Sequence, residues 1–153
     1  MKEKKHSDEV LRILVIIRLD AQRLFERIKY RELEYMHHFS AKRTREHFSS
    51  IFKSKYDQFT LENLKNISEE VNVGIDQFYH HVDEMRWYLM VTEDMPGKVQ
   101  ERVDHFIHEI EQAYEILQLY ISVELGLQEK PEATDDEDDL IIPIAEDIED
   151  LEE

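Results

Sequence analysis

Histidine and carboxylate pairs at helical spacing are the residues of this sequence best suited to chemistry. His80 and Glu84 are four apart, Glu34 precedes both His37 and His38 at helical spacing, and His105 and His108 are three apart beside Asp104 and Glu109. A helix places such pairs on one side, so two or three of them converging could bind zinc, or a pair of iron or manganese ions as in carboxylate-bridged bundles. A metal site in a helical core needs its ligands on the inward stripes. With Val82 and Met85 facing inward, His80 falls on the outer side with Glu84 next to it. With Val103, Ile110 and Leu117 inward, His108 faces out and His105 flanks it; only His38 approaches the inward condition. The histidines are therefore expected to be solvated and balanced by carboxylates a turn away, Glu101 with His105 and Asp104 with His108, with no metal and no cofactor.

Other catalytic signatures are missing from the sequence. It has no Gly-rich phosphate loop, no nucleophile elbow and no cysteine, which removes thiolate ligands, cysteine nucleophiles and disulfides together. A non-enzymatic protein is expected, and the cysteine count points to a cytoplasmic setting.

The elements that must position these residues follow from apolar spacing. Ser7 is placed to cap a helix whose first turn holds Asp8 and Glu9, and Val10, Leu14, Ile17, Ala21, Leu24 and Ile28 form its buried face, with Ile13 and Ile16 widening it. The rhythm loosens after Arg31, which predicts a bend or restart near 38–41 with Ser40 as a new cap. Ala41 to Phe59 then reads as a short helix with Phe48, Ile51, Phe52, Tyr56 and Phe59 on one side. Thr60 caps a long helix to about Val91 whose seam is Leu61, Leu64, Val71, Ile75, Phe78, Val82, Met85 and Leu89, interrupted by Ser68. The Pro96–Gly97 turn opens a last helix that buries Val103, Phe106, Ile107, Ile110, Ala113, Tyr114, Leu117, Tyr120 and Ile121 and stops at Gly126. The expected fold is all-α: an antiparallel bundle of three long helices plus a shorter fourth helical segment, with an acidic C-terminal tail. Residues 1–6 are a basic leader, 7–128 the bundle and 129–153 the tail. The apolar run Val10 to Leu19 contains Arg12 and Arg18 and falls far short of the roughly 20 residues of a membrane span, so neither a membrane nor a signal peptide is expected.

Charge is polarised along the chain. The net charge is −17, yet residues 1–55 carry 14 Lys/Arg against 8 Asp/Glu, while residues 131–153 carry 12 Asp/Glu and no Lys or Arg. The densest basic cluster is Lys42, Arg43, Arg45, Lys53 and Lys55, interleaved with Phe48, Phe52 and Tyr56. It could contact phosphates and stack on bases, but the acidic body would repel nucleic acid, and balancing the acidic helices is the favoured role.

Two surfaces remain for protein partners. Val73, His80 and Trp87 repeat every seven residues opposite the seam, and Trp87 is the only tryptophan. If exposed, they form a partner or homodimer surface. In the tail, Ile144, Ile148 and Leu151 share one face of a helix if Leu140 to Glu153 becomes helical, which suits docking on a partner or folding back on the basic region. The expected function is a protein–protein interaction module, such as an adaptor, chaperone-like binder or regulator. The alternatives are a tail-gated nucleic-acid-associated regulator and a metal-binding bundle.

Overall fold

A computed structural model describes residues 7–127, which are predominantly helical and contain no strand. The chain divides into two compact units, Met1–Ile121 and Ser122–Glu153, and each is taken by itself. The expected tail segment, including Ile144, Ile148 and Leu151, lies outside the described residues, as does the leader.

In the first unit, α1 (Asp8–Tyr30) starts as its sequence dictates. Ser7 Oγ accepts from the Val10 N–H at 3.3 Å, and Asp8 and Glu9 sit at the positive end of the helix dipole. Leu14, Ile17, Ala21, Leu24 and Ile28 are fully buried along one stripe. Ile16 is not: at 42% exposed it lies outside the covered face, correcting the wider apolar face expected for this helix.

The break expected near 38–41 falls instead at Arg31. Helix α2 (Glu32–Lys42) follows at once and runs through Ser40, ending at Arg43 in a left-handed conformation with φ 55°. Tyr35 is buried against the junction, and its hydroxyl donates to Ile28 O at 2.5 Å, satisfying a carbonyl in the last turn of α1. Beside it, the Gln100 side chain bridges two carboxylates, donating to Glu32 at 2.6 Å and to Asp104 at 3.0 Å. Burial chiefly, and then Asp104, raise the Glu32 pKa above the ordinary value, against the opposing bond from Gln100. A raised carboxyl pKa means that the fold favours the protonated form. The cost to stability is therefore full above the folded pKa and disappears as pH falls through it. Glu32→Gln is expected to raise the melting midpoint slightly at pH 7.5, and the difference from wild type should shrink as pH falls into the range where carboxylates protonate. Calorimetry from pH 7.5 down into that range checks this.

The segment expected to form one helix over Ala41–Phe59 does not. It contains α3 (Phe48–Ile51) and a 3-10 turn (Tyr56–Gln58), joined by extended and turning chain. Phe48, Ile51 and Phe52 are buried as the apolar spacing implies. Backbone groups that a continuous helix would pair internally are taken by α1 side chains instead: Arg27 donates to Ile51 O at 3.0 Å and also to Lys53 O, and Asp20 accepts from the Lys55 N–H at 2.8 Å.

The long helix expected from Thr60 is also divided. Thr60 and Asn63 cap each other around α4 (Leu61–Leu64), the two bonds being 3.1 and 3.0 Å. Leu61, assigned to the seam, is 82% exposed. The Asn72 amide then donates to Leu64 O and Ile67 O, both at 3.0 Å, and Ser68 caps α5 (Glu69–Val91) by accepting from the Val71 N–H. The serine that interrupts the apolar seam is thus the start signal of the true helix. From Val71 to Leu89 the seam is buried as expected. Arg45 closes the far end, donating to Leu89 O at 2.8 Å and to Thr92 O, a cation on the carbonyls of a helix C-terminus.

Helix α6 (Pro96–Glu124) begins at the proline, as expected, and buries Val99, Val103, Phe106, Ile107, Ile110, Ala113, Leu117 and Ile121, whereas Tyr114 and Tyr120 are half-buried. Contacts to α1 step down α6 as they step up α1: Gln118 donates to Arg18 O, Tyr114 stacks on Phe25 at 4.3 Å and Glu111 pairs with Lys29 at 2.7 Å. Contacts to α5 step the same way, Phe78 meeting Tyr114, His81 Glu109 and Tyr88 Phe106. In the second unit, Gly126 at φ 80° ends α6, with its N–H donating to Val123 O and the Leu127 N–H to Ser122 O, the paired bonds of a Schellman cap. No helix among the described residues is long and apolar enough to cross a membrane.

Candidate interaction surfaces

His38, His47, His80, His81 and His105 each lie against a carboxylate or another ring. His80 pairs with Glu84 at 3.1 Å on the outer side of α5. His105 pairs with Glu109 at 3.2 Å rather than with Glu101, and Glu109 also faces His81 on α5; Asp104, expected beside His108, is held by Gln100. His38 and His47 pack ring to ring at 5.1 Å, and His47 Nε2 lies 3.1 Å from Tyr35 O. Among the described residues no three metal-ligating side chains converge.

Val73, His80 and Trp87 all lie on the exposed side of α5. Trp87 is 64% exposed and Val73 48%, and Met90 and Val91 extend the exposed apolar surface toward the end of the helix. Beside the indole is a cavity of about 500 Å³, lined by Trp87, Tyr88 and Val91 from α5 and by Arg102 and Phe106 from α6. The Arg102 guanidinium lies over the Tyr88 and Phe106 rings, 5.1 and 5.4 Å from their centroids. Tyr88 is further fixed by donating to Asp94 at 2.8 Å, and burial raises its pKa. An exposed indole therefore stands over a slot whose inner walls are already fixed. Asp83 and Glu84 at its rim supply negative charge.

The expected basic patch divides in two: Arg43 and Arg45 both lie over the Phe39 ring, at 5.1 and 5.2 Å, next to Lys42, whereas Lys53 and Lys55 lie elsewhere. Lys42 and Arg43 are exposed at the end of α2. Arg45 is half-buried and committed to the end of α5. Lys53 and Lys55 are exposed and join Arg23 and Arg27 of α1 around a groove of about 410 Å³ whose apolar lining is Ile16 and Leu19. The aromatics interleaved with the cations are not available for base stacking: Phe48 and Phe52 are core residues, and Tyr56 lies flat on Tyr79 at 4.1 Å and 4°.

The residue that organises this groove was not among the sequence candidates. Asp20 accepts from the Ser54 hydroxyl at 2.7 Å, the Tyr79 hydroxyl at 2.7 Å and the Lys55 N–H at 2.8 Å, tying α1, the 53–58 loop and α5 at one point. Burial, reinforced by Asp20, pushes the Tyr79 phenol far above its ordinary value, which keeps it a neutral donor. The only trace of this in the sequence is an acid between Leu19 and Ala21, one position before a residue of the buried stripe.

These features define a class and nothing narrower: a chain whose described residues are predominantly helical, with an exposed tryptophan slot and a separate groove in which Ile16 and Leu19 lie among cations. Compared with known proteins, the sequence matches no family model, and no curated protein or solved structure matches it.

Proposed function

We propose that this chain is a non-enzymatic protein–protein interaction module, an adaptor, chaperone-like binder or regulator of the cytoplasm, and that α5 around Trp87 is its principal contact surface. The observation that carries this reading is the exposure of the only tryptophan beside a preformed slot. Large rigid aromatics concentrate binding energy, and the fixed Tyr88–Arg102–Phe106 wall lowers the ordering cost of filling the slot. Val73 and His80 extend the contact along the same face, and a second copy of the chain is one admissible partner.

The fold serves this as a scaffold. In our reading α1, α5 and α6 form a helical bundle in which α6 runs antiparallel to the other two, and the Ala41–Phe59 segment, with α3 inside it, is the shorter fourth element. The acidic segment Leu140 to Glu153, with Ile144, Ile148 and Leu151 on one face, is proposed as a second, linear docking motif.

Quantitative affinity purification of the full-length protein from its native host, with light scattering on the same samples, tests the main surface. Trp87→Ala is expected to reduce recovery of the bound partner, or formation of the dimer, at least tenfold, with a melting midpoint within about 2 °C of wild type. Equal recovery with the variant, or a variant that unfolds, would contradict the assignment.

A further inference from the structure

The groove between α1 and the 53–58 loop has a chemistry distinct from the Trp87 slot. Ile16 and Leu19, at 42% and 40% exposure, lie one helical turn apart on α1 and give it an apolar side, although both belong to the most apolar run of the sequence. Arg23, Lys53 and Lys55 rim it, and none of the three forms an ion pair among the described residues. Arg27 points its guanidinium to the Ile51 and Lys53 carbonyls and holds the loop in place. Asp20, the acid in the lining, is occupied by its three donors. The loop is thus fixed from two sides, and the lining holds four cations against the single carboxylate of Asp20, whose three donors are neutral and leave its charge in place.

We propose that this groove is the receptor for an acidic amphipathic helix of a protein partner. This inference rests on the interaction-module reading and supplies the partner chemistry that the Trp87 slot does not specify. Charge complementarity carries it: in a protein of net charge −17, a groove with four cations against one carboxylate, and with Ile16 and Leu19 on one side, selects a ligand that brings both carboxylates and aliphatic side chains. Apolar residues of the incoming helix spaced by three and four cover Ile16 and Leu19, while carboxylates on its flanks meet Arg23, Lys53 and Lys55. Nucleic acid fits less well, because no aromatic side chain lines the groove to stack a base, and the apolar floor gives nothing to a phosphodiester backbone.

A fluorescent synthetic peptide with the sequence of residues 140–153 has the required chemistry, with Ile144, Ile148 and Leu151 set among carboxylates. Its binding is to be followed by anisotropy to the full-length chain and to a full-length form carrying Ile144→Asp, Ile148→Asp and Leu151→Asp, which removes competition from the chain's own copy of the sequence. The proposal expects saturable binding to the second form at least, weakened tenfold or more by Arg23→Glu with Lys53→Glu and by raising salt, and unchanged by Lys42→Glu. No binding to either form, equal binding to the charge-reversed groove, or displacement of the peptide by a single-stranded oligonucleotide that binds more tightly would overturn it. If the Trp87→Ala result holds while this one fails, the groove assignment alone falls.

Discussion

Replacing Asp20 by alanine is expected to lower the stability of the folded chain by about 3 kcal/mol, read as a shift of the urea midpoint without a change in slope. The carboxylate accepts from two side-chain hydroxyls and one backbone N–H on three different parts of the chain. Ser54 and Lys55 can turn to water when it is removed. Tyr79 cannot: it is 6% exposed, and its hydroxyl would be left without its acceptor while its ring stays stacked on Tyr56. A hydrogen bond to a charged group contributes about 1.5–3 kcal/mol, and stranding a buried donor costs a further fraction of that. Asp20→Asn keeps one acceptor and should lose less than half as much. Hydrogen exchange at Lys55 should quicken in both variants, since its N–H loses or weakens its partner.

The second large effect is at Gly74. A Cβ there would lie 3.3 Å from Leu117 Cδ1 and 3.5 Å from Leu117 Cα, so the glycine is what lets α5 and α6 approach at this level. For alanine two terms oppose: helix propensity gains about 1 kcal/mol, and the Leu117 methyl must yield by a few tenths of an ångström. Gly74→Ala is expected to be close to neutral. Gly74→Leu drives a branched side chain into the α6 backbone and should cost about 3 kcal/mol or more. Equal denaturant midpoints for the two variants would show that the helices separate freely there. The sequence presents Gly74 only as a weak point inside a helix, and the reason for it lies 43 positions away at Leu117.

The same contrast between near and distant causes separates the parts of the fold that were legible from those that were not. Ser7 before Asp8 and Glu9, Pro96 as the first residue of α6 and Gly126 after it are local signals, and each marks the element end it implies. The buried faces of α5 and α6 follow their three-and-four spacing. In residues 41–59, Phe48, Ile51, Phe52, Tyr56 and Phe59 are spaced like one face of a helix, while the groups that take up its backbone instead, Arg27 and Asp20, sit on α1. Ser68 looked like a fault in a seam and is a cap, a distinction that depends on where Asn72 sends its amide.

For the candidate sites, periodicity set Val73, His80 and Trp87 opposite the seam but left open whether another element covers them; the exposure of Val73 and Trp87 answers that. The basic cluster could not be divided by counting. Arg45 serves the end of α5, whereas Lys53 and Lys55 meet Arg23 only because the chain returns past α1. Composition treats all of these cations alike; burial and backbone partners tell them apart.

The central claim is that Trp87 is a binding anchor, and the fluorescence of this single tryptophan reads it directly. In the isolated chain its emission should be that of an indole in water and readily quenched by acrylamide. On formation of the complex recovered with the wild-type protein, it should shift to shorter wavelength and lose most of its quenching. An indole already shielded in the isolated chain, or one whose emission and quenching do not change in the complex, would contradict the account.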